Sequence, residues 1–413
     1  MVRANAQRRL SIHYSLFTIH SPEGIMSDFD FTSFLKLMVH KKASDLFITA
    51  GVPPSMKVQG RVVPITQSPL SAQQSRDMVL NVMTPSQREE FEKTHECQFA
   101  ISAQGVGRFR VSCFYQRNCV GMVLRRIESK IPTIEELSLP PVIKQLAMTK
   151  RGIIIFVGGT GTGKSTSLAS MIGYRNANST GHIITIEDPI EYVHKHEGCI
   201  ITQRELGIDT DSWDNALKNT LRQAPDVIMI GEVRTRETME HAINFSETGH
   251  LCLCTLHANN ANQAMDRILH FFPEDRRSQL FMDLSLNLKG VVAQQLIPTP
   301  DGKARRVAVE VLLGTPLVQD YIRQGEIHKL KEVMKESTNL GMKTFDQSLV
   351  ELYHAGEISY EDALRHADSS NEVRLRIKLA QGGDAHTLSQ GLDGVELEET
   401  KDSQNFGGGL LHR

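Results

Sequence analysis

The chain has 413 residues, 46 of them basic and 48 acidic, for a formal net charge of −2. That length fits two or three domains with proper cores, and the near-neutral balance gives no general attraction to nucleic acid or anionic lipid. The six cysteines form no C-x-x-C pair, which speaks against a zinc ribbon or a dithiol redox centre and suits a reducing cytoplasm.

In chain order, residues 1–25 carry arginines ahead of a short apolar patch interrupted by His13, Tyr14 and Ser15, with no A-x-A-like site after it. A signal peptide is therefore rejected, and a disordered leader is expected, with Met26 a candidate natural start. Phe31, Phe34, Leu35, Met38 and Val39 recur at the spacing of one helix face. Strand-like pieces follow at 45–49 and 56–63. Ser71 with Gln74, and Thr84 with Gln87, form capping boxes that open two further helices. Residues 107–117 and 120–127 are β-rich, and in the first run Phe109, Val111, Cys113 and Tyr115 share a face. These elements predict a small α+β domain over 26–128. Residues 129–150, with Pro132, Pro140 and Pro141, are the expected linker.

The core domain is expected over 151–380. Ile153, Ile154, Ile155, Phe156 and Val157 make one buried strand, and Gly158, Gly163, Lys164 and Ser165 then fit G-x-x-x-x-G-K-[ST]. The pattern predicts a phosphate-binding loop over Gly158, Gly159, Thr160, Gly161, Thr162, Gly163, Lys164, Ser165 and Thr166. Its backbone N–H groups and the following helix dipole would cradle a polyphosphate, with Lys164 on the terminal phosphates and the Ser165 hydroxyl on Mg²⁺. Further on, strands alternate with helices at 181–187, 213–222, 227–231, 235–248 and 250–255. That alternation implies an α/β fold with a mostly parallel sheet covered on both sides. A hairpin turns at 300–302 between 291–297 and 307–312, and short helices run to about residue 379. The acidic, Gly-rich stretch 381–413 is expected to be disordered. No apolar run approaches the ~20 residues that cross a bilayer, so no direct membrane insertion is expected.

Nucleotide hydrolysis needs an acid on the metal, a group that positions or deprotonates water, and positive charge on the phosphates. Glu232 follows the buried run 227–230 and is the candidate metal acid beside Ser165. Glu187 closes the strand before Asp188-Pro189 and is the candidate base, with Asp188 and Glu191 in support. Asp226 lies before its strand and reads as structural. His250, Cys252 and Cys254 would share a strand face, which raises a metal site, but two small buried cysteines in a central strand are the commoner arrangement. His257, at the strand end, reads as a phosphate or carboxylate contact. Positive charge is available from Arg108, Arg110, Arg125, Arg222 and Arg234, each of which could equally be a surface ion pair.

GGTGTGKST, ITIEDPIEYVH, RQAPDVIMIGEVRTRET and TGHLCLCTLHANNA resemble the Walker A, Asp box, Walker B and His box of the secretion-type hexameric ATPases, in that order. LMVHKKASDLFITAGVPPSMKVQGRVVPI and GMKTFDQSLVELYHAGEISYEDAL extend the resemblance across most of 26–379. The group most similar is the type IV pilus retraction ATPases, the PilT/PilU family. The resemblance implies a PAS-like N-terminal domain, a RecA-like core and a ring of six. It also implies ATP with Mg²⁺ as cofactors and a place on the cytoplasmic side of the inner membrane, at the pilus base. Such a ring would act on pilin through the platform protein PilC to power twitching motility. The resemblance assigns Glu187 as catalytic base and Glu232 to Walker B. It puts His250 and His257 in the His box, and it favours Arg110 and Arg125 as nucleotide contacts; Arg234 and His250 are expected as further ones. Where PilT-type proteins carry AIRNL after N-T-P, this chain has Thr315-Pro316 followed by Leu317-Val318-Gln319-Asp320-Tyr321. That places it on the PilU side and makes PilT an expected partner. The lack of a four-cysteine zinc motif argues against pilus assembly or type II secretion. The alternative is a regulatory or scaffolding subunit that binds nucleotide; a nucleic-acid translocase is disfavoured by the neutral charge.

Overall fold

A computed structural model describes residues 31–128 and 130–380; the expected leader and acidic tail lie outside the described residues. The described chain divides into two compact units, one of residues 31–136, 143–153 and 165–255, the other of 137–142, 154–164 and 256–380.

The N-terminal part of the first unit holds α1 (Phe31–His40), β1 (Ala43–Ile48), β2 (Ser55–Val58), β3 (Arg61–Pro64), α2 (Ala72–Asn81) and α3 (Pro85–Thr94), then β4 (Glu96–Ala103), β5 (Gly107–Gln116) and β6 (Cys119–Ile127). The six strands pair antiparallel in the order β3-β2-β1-β6-β5-β4. Both capping boxes form, at Ser71 and at Thr84, so each helix starts where its side-chain caps satisfy the free N–H groups. The expected face of β5 is the core face: Phe109, Val111 and Cys113 are buried. Tyr115 stacks on Phe91 with ring centroids 5.0 Å apart and accepts from Arg76 at its hydroxyl. Strand β4 was not expected, although its buried Cys97 and Phe99 carry the period of two.

Next come α4 (Val142–Ala147), β7 (Gly152–Val157), α5 (Lys164–Asn178), β8 (Gly181–Glu187), β9 (Cys199–Glu205), α6 (Trp213–Thr220), β10 (Val227–Ile230), α7 (Arg236–Glu247) and β11 (Leu251–Leu256). Helix α4 falls inside the expected linker and is packed, with Ile143, Leu146 and Ala147 buried. The second sheet has the order β13-β12-β7-β11-β10-β8-β9. The pairs β11–β10, β10–β8 and β8–β9 run parallel, as the β/α alternation predicts. Every residue of β10 and β11 is buried, which is why β10 reads as an unbroken apolar run and β11 as one interrupted only by Thr255.

The second unit contains α8 (Ala261–Phe271), α9 (Glu274–Asn287), the antiparallel hairpin of β12 (Leu288–Pro298) and β13 (Arg305–Leu313), then α10 (Pro316–Gln324), α11 (Leu330–Glu336), α12 (Phe345–His354), α13 (Tyr360–Arg365) and α14 (Ser370–Ala380). Its helices are organised by buried carboxylates. Glu310 of β13 accepts the first N–H of α8, from Ala261 at 2.7 Å, and that of α12, from Phe345 at 3.5 Å. Asp346 accepts from the backbone of Asp368 at 2.8 Å and Ser369 at 3.2 Å, just ahead of α14. In each case an anion faces N–H groups that a helix start leaves unpaired.

Burial pushes the Glu310 carboxyl from 4.5 up to about 7, against the pull of its two backbone donors. The unfolded chain gives up this proton near pH 4.5 and the folded chain near 7, so the stability this group contributes is whole below about pH 4.5 and is lost as pH rises through about 7. Glu310→Gln should therefore gain on the wild type between pH 5 and 8, by on the order of 2 kcal/mol. Denaturant unfolding at a series of pH values measures this; a difference that stays flat with pH would contradict it.

Candidate nucleotide-binding and catalytic site

Strand β7 is buried along its whole length and so anchors the start of the glycine loop. Gly158 sits at φ +154°, where a Cβ would come within 2.5 Å of Thr162 Oγ1 and 2.7 Å of the Gln294 carbonyl oxygen. Only glycine tolerates that approach. The buried Lys164 ammonium donates to the carbonyls of Gly158 at 2.9 Å and Gly159 at 2.8 Å. Thr162 Oγ1 donates to the Gly159 carbonyl at 3.0 Å. From β12, Gln294 Nε2 braces the loop by donating to the Thr162 carbonyl, also at 3.0 Å. Thr160 and Gly161 at the tip are exposed, as is Ser165 on the first turn of α5, while Gly163 and Thr166 are half-buried. A cradle that a methyl group would fill, an ammonium inside it and a hard oxygen on the adjoining helix turn suit a polyphosphate with a divalent cation.

The acids stand at the ends of β8 and β10. The Gly231 N–H donates to the Ile186 carbonyl at 2.8 Å, and the Gly231 carbonyl accepts from Thr255 Oγ1 at 2.5 Å. A Cβ on Gly231 would lie 3.2 Å from the Glu187 Cα, so glycine here lets the two strand ends close together. Glu187 and Glu232 consequently leave the sheet at the same edge. Glu187 is buried, and its Oε1 accepts from Thr185 Oγ1 at 2.6 Å and Gln203 Nε2 at 3.2 Å. Burial pushes its carboxyl up to about 7, while Thr185, Gln203 and the Glu191 N–H pull it back. A carboxyl in that range exchanges a proton readily at neutral pH. Glu232 is half-buried and meets the Arg234 guanidinium at 2.7 Å. Asp188 and Glu191 are exposed.

The histidines occupy opposite ends of β11. His257 directly follows it. His250 precedes it, with Nδ1 at 3.1 Å from Thr248 Oγ1 and 3.2 Å from the Phe245 carbonyl, and so sits at the sheet edge opposite to Glu187 and Glu232. Cys252 and Cys254 are fully buried, and burial raises both thiols, Cys254 to about 12, which leaves them protonated core side chains. Asp226 accepts the His182 N–H at 2.8 Å and closes the far end of the sheet, as its position suggested.

Arg110 and Arg125 are register partners on β5 and β6, a like-charge pairing that is unfavourable unless an anion or polar group offsets it. Arg110 donates to Gln98 at 2.9 Å and Arg125 to Asp45 at 2.9 Å. Arg108 reaches across to β9, 3.8 Å from the buried Glu205, yet Arg108 Nε and Glu205 Oε2 make no hydrogen bond. Thr185, Tyr192, Gln203 and Gln294 went unnoticed in the sequence. The signal for Gln294 was a polar residue directly after the apolar run Val291-Val292-Ala293, which demands a buried partner, whereas Gln203, between Thr202 and Arg204, carried no such signal.

Residues 28–373 match the family of type II/IV secretion system proteins. The chain is 69% identical to the type IV pilus ATPase PilU of Pseudomonas aeruginosa, across 90% of this chain and 98% of that one. It is 39% identical to the type IV pilus retraction ATPase PilT of the same organism, across 82% of this chain and 98% of that one. Among solved structures it resembles the pilus retraction motor PilT with bound ADP, at a TM-score of 0.78 and 38% identity, across 84% of this chain and 99% of that one. The ATPase DotB of Legionella pneumophila follows at a TM-score of 0.71 and 25% identity, across 81% of this chain and 94% of that one.

Because the loop closes directly on Gly158, Gly158→Ala should weaken binding of a fluorescent ADP analogue about tenfold or more, measured by titration. Retention of wild-type affinity would show that the loop does not need this approach.

Proposed function

This chain belongs to the type II/IV secretion system protein family and, within it, to the PilU/PilT type IV pilus ATPases, and from that premise we propose an ATP-hydrolysing motor that drives or assists pilus retraction. The observation that carries the reading is the Lys164 ammonium held inside a glycine cradle at the end of a fully buried strand. In this reading the loop from Gly158 to Thr166 holds the ATP phosphates, and Ser165 and Glu232 hold Mg²⁺, which supplies positive charge on the phosphates when bound. Glu187 takes the proton of the attacking water, and Lys164 and His257 contact the phosphate that is transferred. Arg110 and Arg125, from a neighbouring subunit of a hexamer, offset charge on the phosphates, and Arg234 completes the nucleotide contacts; His250, expected among them from the sequence, stands at the opposite sheet edge against Thr248 and the Phe245 carbonyl and is left out of the site.

The working context we propose is the cytoplasmic face of the inner membrane at the pilus base, with PilT as partner and the platform protein PilC as the surface pushed against. No helix among the described residues is long and apolar enough to cross a membrane. Retraction in concert with PilT is supported by the departure at 315–321, where Leu317 stands half exposed at the start of α10.

The test is ATP turnover by the purified chain and by Glu232→Ala, each with and without PilT and PilC. Turnover by the wild type and a roughly hundredfold loss in the variant are expected. Nucleotide binding without turnover under every condition would favour the scaffolding role instead. Since Glu187 accepts a proton only as the carboxylate, the rate should rise with pH through a midpoint near 7. Glu187→Gln should abolish that limb, and a wild-type profile level from about pH 6 to 8 would count against Glu187 as the base.

A further inference from the structure

We propose that Gln203 is the positioning residue of Glu187, holding the carboxylate in one rotamer and one distance from the helix that follows the phosphate loop; this rests on the reading of Glu187 as proton acceptor. Gln203 lies on β9, in parallel register with Thr185 of β8. Its Oε1 accepts the His194 N–H at 2.8 Å, and its Nε2 donates to the Tyr192 carbonyl at 2.8 Å and to Glu187 Oε1 at 3.2 Å.

A backbone N–H can only donate and a backbone carbonyl can only accept, so these two contacts fix which end of the amide is nitrogen. The end that faces Glu187 is therefore a donor, and a donor there stabilises the carboxylate over the acid. Thr185 also donates to the same oxygen, at 2.6 Å, but it rides on the same strand and ties Glu187 to nothing beyond β8. The Glu191 N–H ties it to the loop that follows β8, and Gln203 ties it both to that loop and to the next strand.

That loop reaches further. The Tyr192 hydroxyl lies 3.0 Å from Thr166 Oγ1, on the first turn of α5. A continuous run of hydrogen bonds thus leads from Thr166 through Tyr192 and Gln203 to Glu187, and it sets the base relative to the helix start. Neighbouring titratable groups do not replace this contact. The Glu191 charge pushes the Glu187 carboxyl upward, and burial holds the His194 ring neutral, with its pKa lowered to about 4.

The experiment compares the full-length wild type, Gln203→Ala and Gln203→Glu. It follows ATP turnover from about pH 6 to 9, under the partner condition in which the wild type turns over, and titration of a fluorescent ADP analogue. Both variants should lose about tenfold or more in kcat while KM and the analogue affinity stay within about twofold. The acid limb should move up by about one pH unit in Gln203→Ala and farther in Gln203→Glu, which sets a second carboxylate against the first. Gln203→Glu keeps the size of the side chain and an acceptor for the His194 N–H, so it reads the effect even if the alanine variant folds poorly. An unmoved acid limb in both variants, or a loss confined to KM, would overturn the proposal and leave Gln203 as a loop tie. A wild type that binds the analogue but never hydrolyses ATP would overturn the motor reading itself, and any positioning for turnover with it.

Discussion

The parallel register of β8, β10 and β11 is the constraint on which the catalytic edge depends. Ile186, Ile230 and Cys254 lie level across three strands, so whatever follows each of them leaves the sheet at one edge. Because side chains alternate, a slip of one residue would turn every side chain of a strand to the opposite face. Strands β10 and β11 are buried along their whole length, and Gly231 permits the close approach that brings the ends of β8 and β10 together. Apolar packing in the sheet therefore does the aiming, and the polar residues at its edge inherit positions they could not hold alone.

Two buried glutamates show how the same desolvation serves different ends. Glu187 and Glu310 are both pushed up to about 7 by burial. Glu310 meets backbone N–H groups from two helix starts, donors that cannot turn away without unwinding a helix, so its carboxylate acts as a joint between elements. Glu187 meets side-chain donors from Thr185 and Gln203, both on Oε1, together with the Glu191 N–H of the loop that follows rather than of a helix start. Side-chain donors can adjust as charge changes, which suits a group that must gain and lose a proton.

Much of this was legible in the sequence because it is written in local patterns. The glycine loop, the two capping boxes and the apolar runs of β7, β10 and β11 each depend on neighbours within a few residues. The resemblance carried by four motifs supplied the family. What stayed hidden depends on partners far along the chain. Gln294 braces a loop 132 residues away, and Gln203 reaches Glu187 across a strand pairing. Strand β4 was overlooked between a helix and a clearer hairpin, although His95 in a left-handed conformation marks the turn into it. His250 and His257 look alike on either side of one strand, and only the direction of that strand separates them.

The contact between Arg108 and Glu205 has a thermodynamic side. At 3.8 Å the pair gains Coulomb attraction but little hydrogen bonding, and each partner keeps a buried polar atom unbonded. Separating the two would return both groups to water, and rehydration would offset much of the attraction lost. Attachment of the N-terminal strands to β9 at this point is consequently shallow in free energy, and shallow contacts are the ones that open and close without strain elsewhere.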